Sequence, residues 1–94
     1  MDRNPESESE NVRDHPEASR FELVKDGHVA FVTYERRADA LVLVHTEVPA
    51  ALQGTGFGTR LVKGALALAR AEHRPLIVRC PFVRNYLKKH PEAG

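Results

Sequence analysis

His45 and Glu47 stand two apart, either side of Thr46, at the end of an apolar run. On a strand that spacing sends both side chains to one face, where either can take a proton from an attacking nucleophile, directly or through water. Gly54, Gly56 and Gly58 follow, between that run and a stretch whose apolar residues recur at helical spacing. The first turn of a helix has backbone N–H groups without intrahelical partners and a positive dipole end, and glycines let the oxygens of an anion approach them closely. A phosphate fits there. Cys80 stands just before Pro81, at the N-cap of a final helix, where the dipole and Arg79 or Arg84 favour a thiolate able to accept an acyl group and hand it on. Each feature also has a plainer reading: a polar pair at a strand end, a strand-to-helix turn, and a small side chain buried under a helix start.

The glycine spacing narrows the choice of anion. G-x-G-x-G is not the dinucleotide fingerprint G-x-G-x-x-G, and no acidic residue closes a following strand where ribose recognition needs one. Lys63 comes too late for a Walker loop, and no Gly-Lys-Ser/Thr occurs. The pattern present is Q-x-x-G-x-G, from Gln53, Gly56 and Gly58, and it resembles the pyrophosphate-binding signature of the GNAT superfamily of acetyl-CoA-dependent N-acetyltransferases. His45-Thr-Glu-Val-Pro49 before the loop, Leu61-Val62 after it, Cys80-Pro-Phe82, and Tyr86-Leu-Lys-Lys-His90-Pro91 are similar to a short, single-domain subfamily of that group. They run in the subfamily's order from Phe21 to Pro91.

The resemblance implies a set of roles. Gln53, Gly54, Thr55, Gly56, Phe57, Gly58, Thr59 and Arg60 would hold the pyrophosphate of acetyl-CoA, chiefly through backbone N–H groups, and Val48 would line the pantetheine arm. Asn85 and Lys89, with Lys88 beside them, would meet the pantetheine or the adenosine phosphates. An acidic residue on the matching strand often serves as base in the family, which makes Glu47 the first choice and His45 the second. A tyrosine on the helix after the corresponding strand often protonates the departing thiolate, a role that falls to Tyr86, although His90-Pro91 replaces the usual Gly-Phe. A tyrosine on an amphipathic helix also commonly packs its ring and leaves its hydroxyl in water. The implied reaction is acetyl transfer to an amine. The alternative is a CoA or acyl-CoA binding module without turnover, supported by the short chain.

These residues need elements to position them. Arg20 to Lys25 alternates as a strand, Asp26-Gly27 supplies a turn, and His28 to Arg36 is rich in Val, Phe, Thr and Tyr, a hairpin pattern. A third strand, Ala40 to Val48, is apolar on both faces through Leu41, Val42, Leu43 and Val44, as in a centrally placed strand. The helix from Phe57 to about His73 sets Phe57, Leu61, Ala65 and Leu68 against Arg60, Lys63 and Arg70. Pro75 ends it, Leu76 to Val78 forms a fourth strand, and Pro81 opens a helix to about His90. The order β-β-β-α-β-α gives an α+β domain, a minimal GNAT-like fold with a mostly antiparallel sheet. The helices that wall the acceptor side in longer members have no counterpart, so an open, shallow site is expected.

Ninety-four residues make one small domain that buries only about two thirds of its unfolded surface. Met1 to Arg20 holds six acidic and three basic residues, leaving seven acidic and eleven basic beyond it. Residues 1–19 therefore read as a disordered acidic tail and 20–94 as the folding domain. No apolar run is long enough to span a bilayer, and the polar, acidic start is unlike a signal peptide, so a cytoplasmic location is expected. The single cysteine excludes an internal disulfide, and the five histidines lack metal-ligand spacing. The basic residues are not interleaved with exposed aromatics, which argues against nucleic acid. A monomer is the simplest expectation.

Overall fold

An Asp-Gly pair fits a two-residue hairpin turn because both positions of that turn need positive φ. Asp26 and Gly27 have φ of 52° and 80°, and they join β2 (Arg20–Lys25) to β3 (His28–Arg36) with Lys25 paired to His28. The computed structural model describes residues 12–91. β1 (Val12–His15), β2, β3 and β4 (Leu41–Glu47) form an antiparallel meander, and β5 (Leu76–Val78) runs parallel beside β4. The crossover from β4 to β5 contains α1 (Phe57–Arg70), and α2 (Pro81–Lys89) follows β5. The chain is thus an α+β domain with a mostly antiparallel sheet. The expected order holds from Arg20 onward, and β1 adds one strand before it.

Alternate residues of the meander supply the core. Phe21 and Leu23, then Ala30, Val32 and Tyr34, then Leu41 and Leu43 share a cluster with Phe57, Leu61, Val62, Ala65, Leu66 and Ala69 of α1. Val83 of α2 and Cys80 join the same cluster. α1 lies across β1, β2 and β3, while α2 packs on β4 and β5.

The reading of residues 1–19 as a disordered tail needs correction over Val12 to Ser19; residues 1–11 lie outside the described residues. β1 pairs with β2 from Val12↔Leu23 to His15↔Arg20, and Pro16–Ala18 make a 3-10 turn into β2. Only Val12 of this strand is buried; the rest is held by polar contacts. Asp14 accepts a hydrogen bond from the Tyr34 hydroxyl at 2.5 Å and one from Arg36 Nη2 at 3.1 Å. Arg36 also grips Glu72, just past α1, through Nε at 3.1 Å and Nη2 at 2.6 Å. On the opposite sheet face, Glu22 accepts from Arg20 Nε at 2.6 Å and meets His15 Nδ1 at 2.9 Å.

These contacts make stability depend on pH. The Arg36 hydrogen bonds hold the Glu72 carboxyl below the usual carboxylate range, with burial opposing. Burial pushes Glu22 up, but the hydrogen bonds and charges of Arg20 and His15 outweigh it and the net shift is downward. A carboxylate that titrates lower in the folded than in the unfolded chain stabilises fully above its unfolded value and loses that contribution as pH falls through the folded one. The melting temperature should therefore drop below about pH 4.5, and Glu72→Gln should flatten that drop. Arg36→Ala should cost about 1–2 kcal/mol at neutral pH, since the pairs are partly exposed, or roughly 4–8 °C per kcal/mol in a domain of this size. Thermal melts from pH 3 to 7 check both.

Candidate functional site

The end of β4 is shaped by one extra residue. Tyr34 pairs with Leu43 and Thr33 with His45, so Val44 is a bulge with no partner of its own in β3. A bulge reverses the in-out phase of the residues beyond it. Thr46, opposite the buried Val32, thereby takes the core face, while His45 and Glu47 lie opposite Thr33 and Phe31 on the other. His45 and Glu47 do share a face, as expected, and Val44 is 39% exposed rather than buried. β5 pairs with β4 only along Leu41–Leu43, and β4 continues to Glu47 after β5 has ended at Val78. Arg79 N and Cys80 N both donate to Leu43 O, at 2.9 and 3.2 Å, which turns the chain away into α2.

The loop from β4 to α1 is held by its own side chains. Gln53 Nε2 donates to Val48 O at 2.9 Å. Thr55 Oγ1 donates to Leu52 O at 2.5 Å and accepts from Phe57 N at 3.3 Å. Gly56, with φ of 82°, is the N-cap of α1, and the first intrahelical bond runs from Arg60 N to Gly56 O at 3.1 Å. The N–H groups of Gly58 and Thr59 come before that bond and so have no partner within the helix. A β-carbon built on Gly54 or Gly56 would meet nothing within 4 Å.

β4 and this loop enclose a cleft of about 710 Å³. From β4 and the residue after it come His45, Thr46, Glu47 and Val48; from the loop and the start of α1 come Gln53, Gly54, Gly56, Gly58 and Thr59, and α2 adds Phe82. A base pair of candidates and a helix N-terminus therefore face one space. That space suits a ligand that is anionic at one end and reactive at the other. A smaller cleft of about 230 Å³ continues past Thr59 and Phe82 and is lined by Asn85, Tyr86, Lys89 and His90. Its lysine and its paired rings, Tyr86 and His90 with centroids 4.6 Å apart, contrast with the acid of the first.

Other expected site residues are located elsewhere. Phe57 is buried in the core and Arg60 lies with its guanidinium 5.6 Å from the Phe57 ring centroid; with Thr55 they are outside both sets of lining residues. Tyr86 and Glu47 line different clefts. Cys80 is 1% exposed, with Sγ 3.0 Å from Thr46 Oγ1, and lines neither. Among the described residues no group of three His, Cys, Asp or Glu is arranged to hold a metal ion, and no helix is long and apolar enough to cross a membrane.

A family model described as GCN5-related N-acetyl-transferase matches residues 20–94. The chain belongs to that family. No curated protein matches the sequence. Membership of the GCN5-related N-acetyltransferases supports acetyltransferase activity in general and a family-wide use of acetyl-CoA, and the mostly antiparallel sheet with its two helices is compatible with a minimal version of their fold.

Sequence reasoning missed two residues of the cleft. Phe82 was visible only as part of the Cys-Pro-Phe run, and Thr46 as a residue between two candidate bases. The signal for Phe82 was its place directly after the proline that opens α2; for Thr46 there was none, because the bulge at Val44 decides which way it points.

Proposed function

We propose that this protein binds acetyl-CoA in the cleft between β4 and α1 and transfers the acetyl group to an amine. The observation that carries the reading is the meeting of Glu47 and His45 with the N-terminus of α1 in one cleft. The donor set suits a diphosphate: the N–H groups of Gly58 and Thr59 point out of the first turn, and open space at Gly54 and Gly56 leaves the loop backbone approachable. Gln53 and Thr55 keep that loop in shape rather than reaching for the ligand. Val48 and Phe82 give the apolar flank for the arm, and Asn85 and Lys89 serve its nucleotide end. Bound acetyl-CoA supplies an activated thioester and a good leaving thiolate.

The remaining work belongs to the protein. Glu47 accepts the proton of the attacking nitrogen, with His45 on the same face as its neighbour in that task. Orientation within the cleft does the rest, since holding the two reactants together removes much of the entropic barrier. Cys80, buried against Thr46, packs the floor under α2, and transfer is direct. Mixing the protein with acetyl-CoA and a panel of amines, with free thiol as readout and intact mass in parallel, tests this. Thiol release that depends on an amine, with no acetyl adduct on Cys80, is the expected result; an adduct formed and discharged by amine supports the covalent route instead.

One observation favours a second reading, a CoA-binding module without turnover: Tyr86, the expected proton donor to the thiolate, lines the smaller cleft rather than the one with Glu47. Saturable binding with thiol release no faster than hydrolysis would establish it.

A further inference from the structure

Residues 1–11 lie outside the described residues, and the sheet fixes the point at which they join it. Val12, the first residue of β1, pairs with Leu23, and Leu23 pairs with Ala30. One step along β3, Phe31 pairs with Glu47, so the row that starts at Val12 runs across β2 and β3 toward Val48 of the larger cleft. Three strand spacings separate the two, about 14 Å. α1 starts at that same end. Glu72, just past its last turn, is bonded to Arg36 at the far end of β3, whereas Phe57 follows the loop from the end of β4. The segment therefore meets the sheet at the end that holds the cleft, and eleven residues can span up to about 36 Å.

Its charge is opposite to that of its surroundings. Asp2, Glu6, Glu8 and Glu10 against Arg3 give residues 1–11 four acidic and one basic residue, a formal −3, while residues 12–94 hold nine acidic and thirteen basic, a formal +4. At the cleft, the N–H groups of Gly58 and Thr59 have no partner within the helix, Arg60 and Lys63 follow on α1, and Lys89 lines the smaller space. Among the described residues, Glu47 is the one carboxylate that lines either cleft. A carboxylate is an anion of the kind a helix N-terminus accepts.

We infer that residues 1–11 are an acidic arm that occupies the phosphate end of the cleft through Glu6, Glu8 and Glu10, in competition with CoA. This rests on the reading that the start of α1 holds the CoA diphosphate. Tethering favours the contact: an attached segment has an effective concentration in roughly the millimolar range, so individually weak carboxylate contacts suffice. CoA has to displace the arm, and its apparent affinity is reduced by the fraction of molecules in which the seat is open.

Calorimetric affinity for CoA, measured on the full chain, tests this. The Glu6→Gln/Glu8→Gln/Glu10→Gln variant keeps the arm and removes its charges. A control, Glu17→Gln/Glu35→Gln/Asp39→Asn, removes as much charge from exposed positions at the other end of the sheet. The arm variant should bind CoA about three- to tenfold more tightly than the parent, as when the seat is open in a third to a tenth of parent molecules, and the control should not. That difference should close at about 1 M salt, where charges are screened beyond about 3 Å. Without ligand, the Gly58 and Thr59 amides should shift between parent and arm variant and stay in place between parent and control. Equal affinities of parent and arm variant, or an equal gain in the control, overturn the inference and leave the CoA site standing. A tighter arm variant whose Gly58 and Thr59 amides match those of the parent overturns it too. Absence of CoA binding by parent and arm variant alike overturns the functional reading, and this inference with it.

Discussion

Replacing Gly56 with valine is expected to lower CoA affinity by at least about tenfold while the domain stays folded. Gly56 has φ of 82°, a conformation that costs an L-residue roughly 1–2 kcal/mol and a β-branched one more; about 1.4 kcal/mol already corresponds to a factor of ten in binding. A new side chain would clash with nothing in the protein, since the site of its β-carbon is open. The loss would come from the loop leaving its left-handed turn and from bulk placed over the N–H groups of α1. Gly56→Asn separates these causes, because asparagine tolerates that φ. Calorimetric affinity with a thermal melt checks the prediction. A melt lowered by a few degrees with CoA affinity unchanged would mean the turn matters only to the fold.

Glu47→Gln is expected to reduce kcat by about 10² to 10⁴, the range for removing a positioned general base, with CoA affinity altered less than threefold, about 0.6 kcal/mol. Glutamine keeps the size of the side chain and loses only its ability to take a proton. The drop should appear in kcat and kcat/KM together, because the carboxylate acts on the nitrogen in the transition state and not on the bound thioester. A kcat within a few-fold of the parent would pass the role to His45, and His45→Gln would then have to show the larger loss.

Much of the fold was legible because short local signals decided it. Asp26-Gly27 fixed the hairpin, Pro75 and Pro81 marked the ends of a crossover and the start of α2, and the spacing of Phe57, Leu61, Ala65 and Leu68 gave α1. β1 was not legible. Three of its four residues, Arg13, Asp14 and His15, are polar, and its attachment depends on Asp14 meeting Tyr34 and Arg36, a contact between distant parts of the chain. The bulge at Val44 was hidden for the opposite reason: Leu41 to Val44 is uniformly apolar, so nothing in the pattern shows where the phase changes.

The same division applies to the site. A glycine-rich turn between a strand and a helix is a local feature, and the sequence placed it correctly with His45 and Glu47 on one face nearby. The place of Phe82 after Pro81 was visible, but its entry into the cleft follows from the parting of β4 and β5 and from the bare backbone at Gly58. Tyr86 illustrates the limit of carrying roles across a resemblance. It lies one helical turn beyond Phe82 on α2, far enough along that it lines the smaller cleft with Lys89 and His90. Cys80 had the N-cap position expected of it, yet burial against Thr46 turns its sulfur to the core.

The start of α1 is proposed as the seat for the phosphates of CoA. A titration of isotope-labelled protein with CoA, followed through backbone amide shifts, tests it most directly. Saturable shifts are expected, largest at Gly56, Gly58 and Thr59, extending to Val48 and Phe82 and leaving the Asp26-Gly27 turn unmoved. Amides of Gln53 to Arg60 that stay in place at high CoA concentration would contradict it and leave the glycine loop as a turn between a strand and a helix.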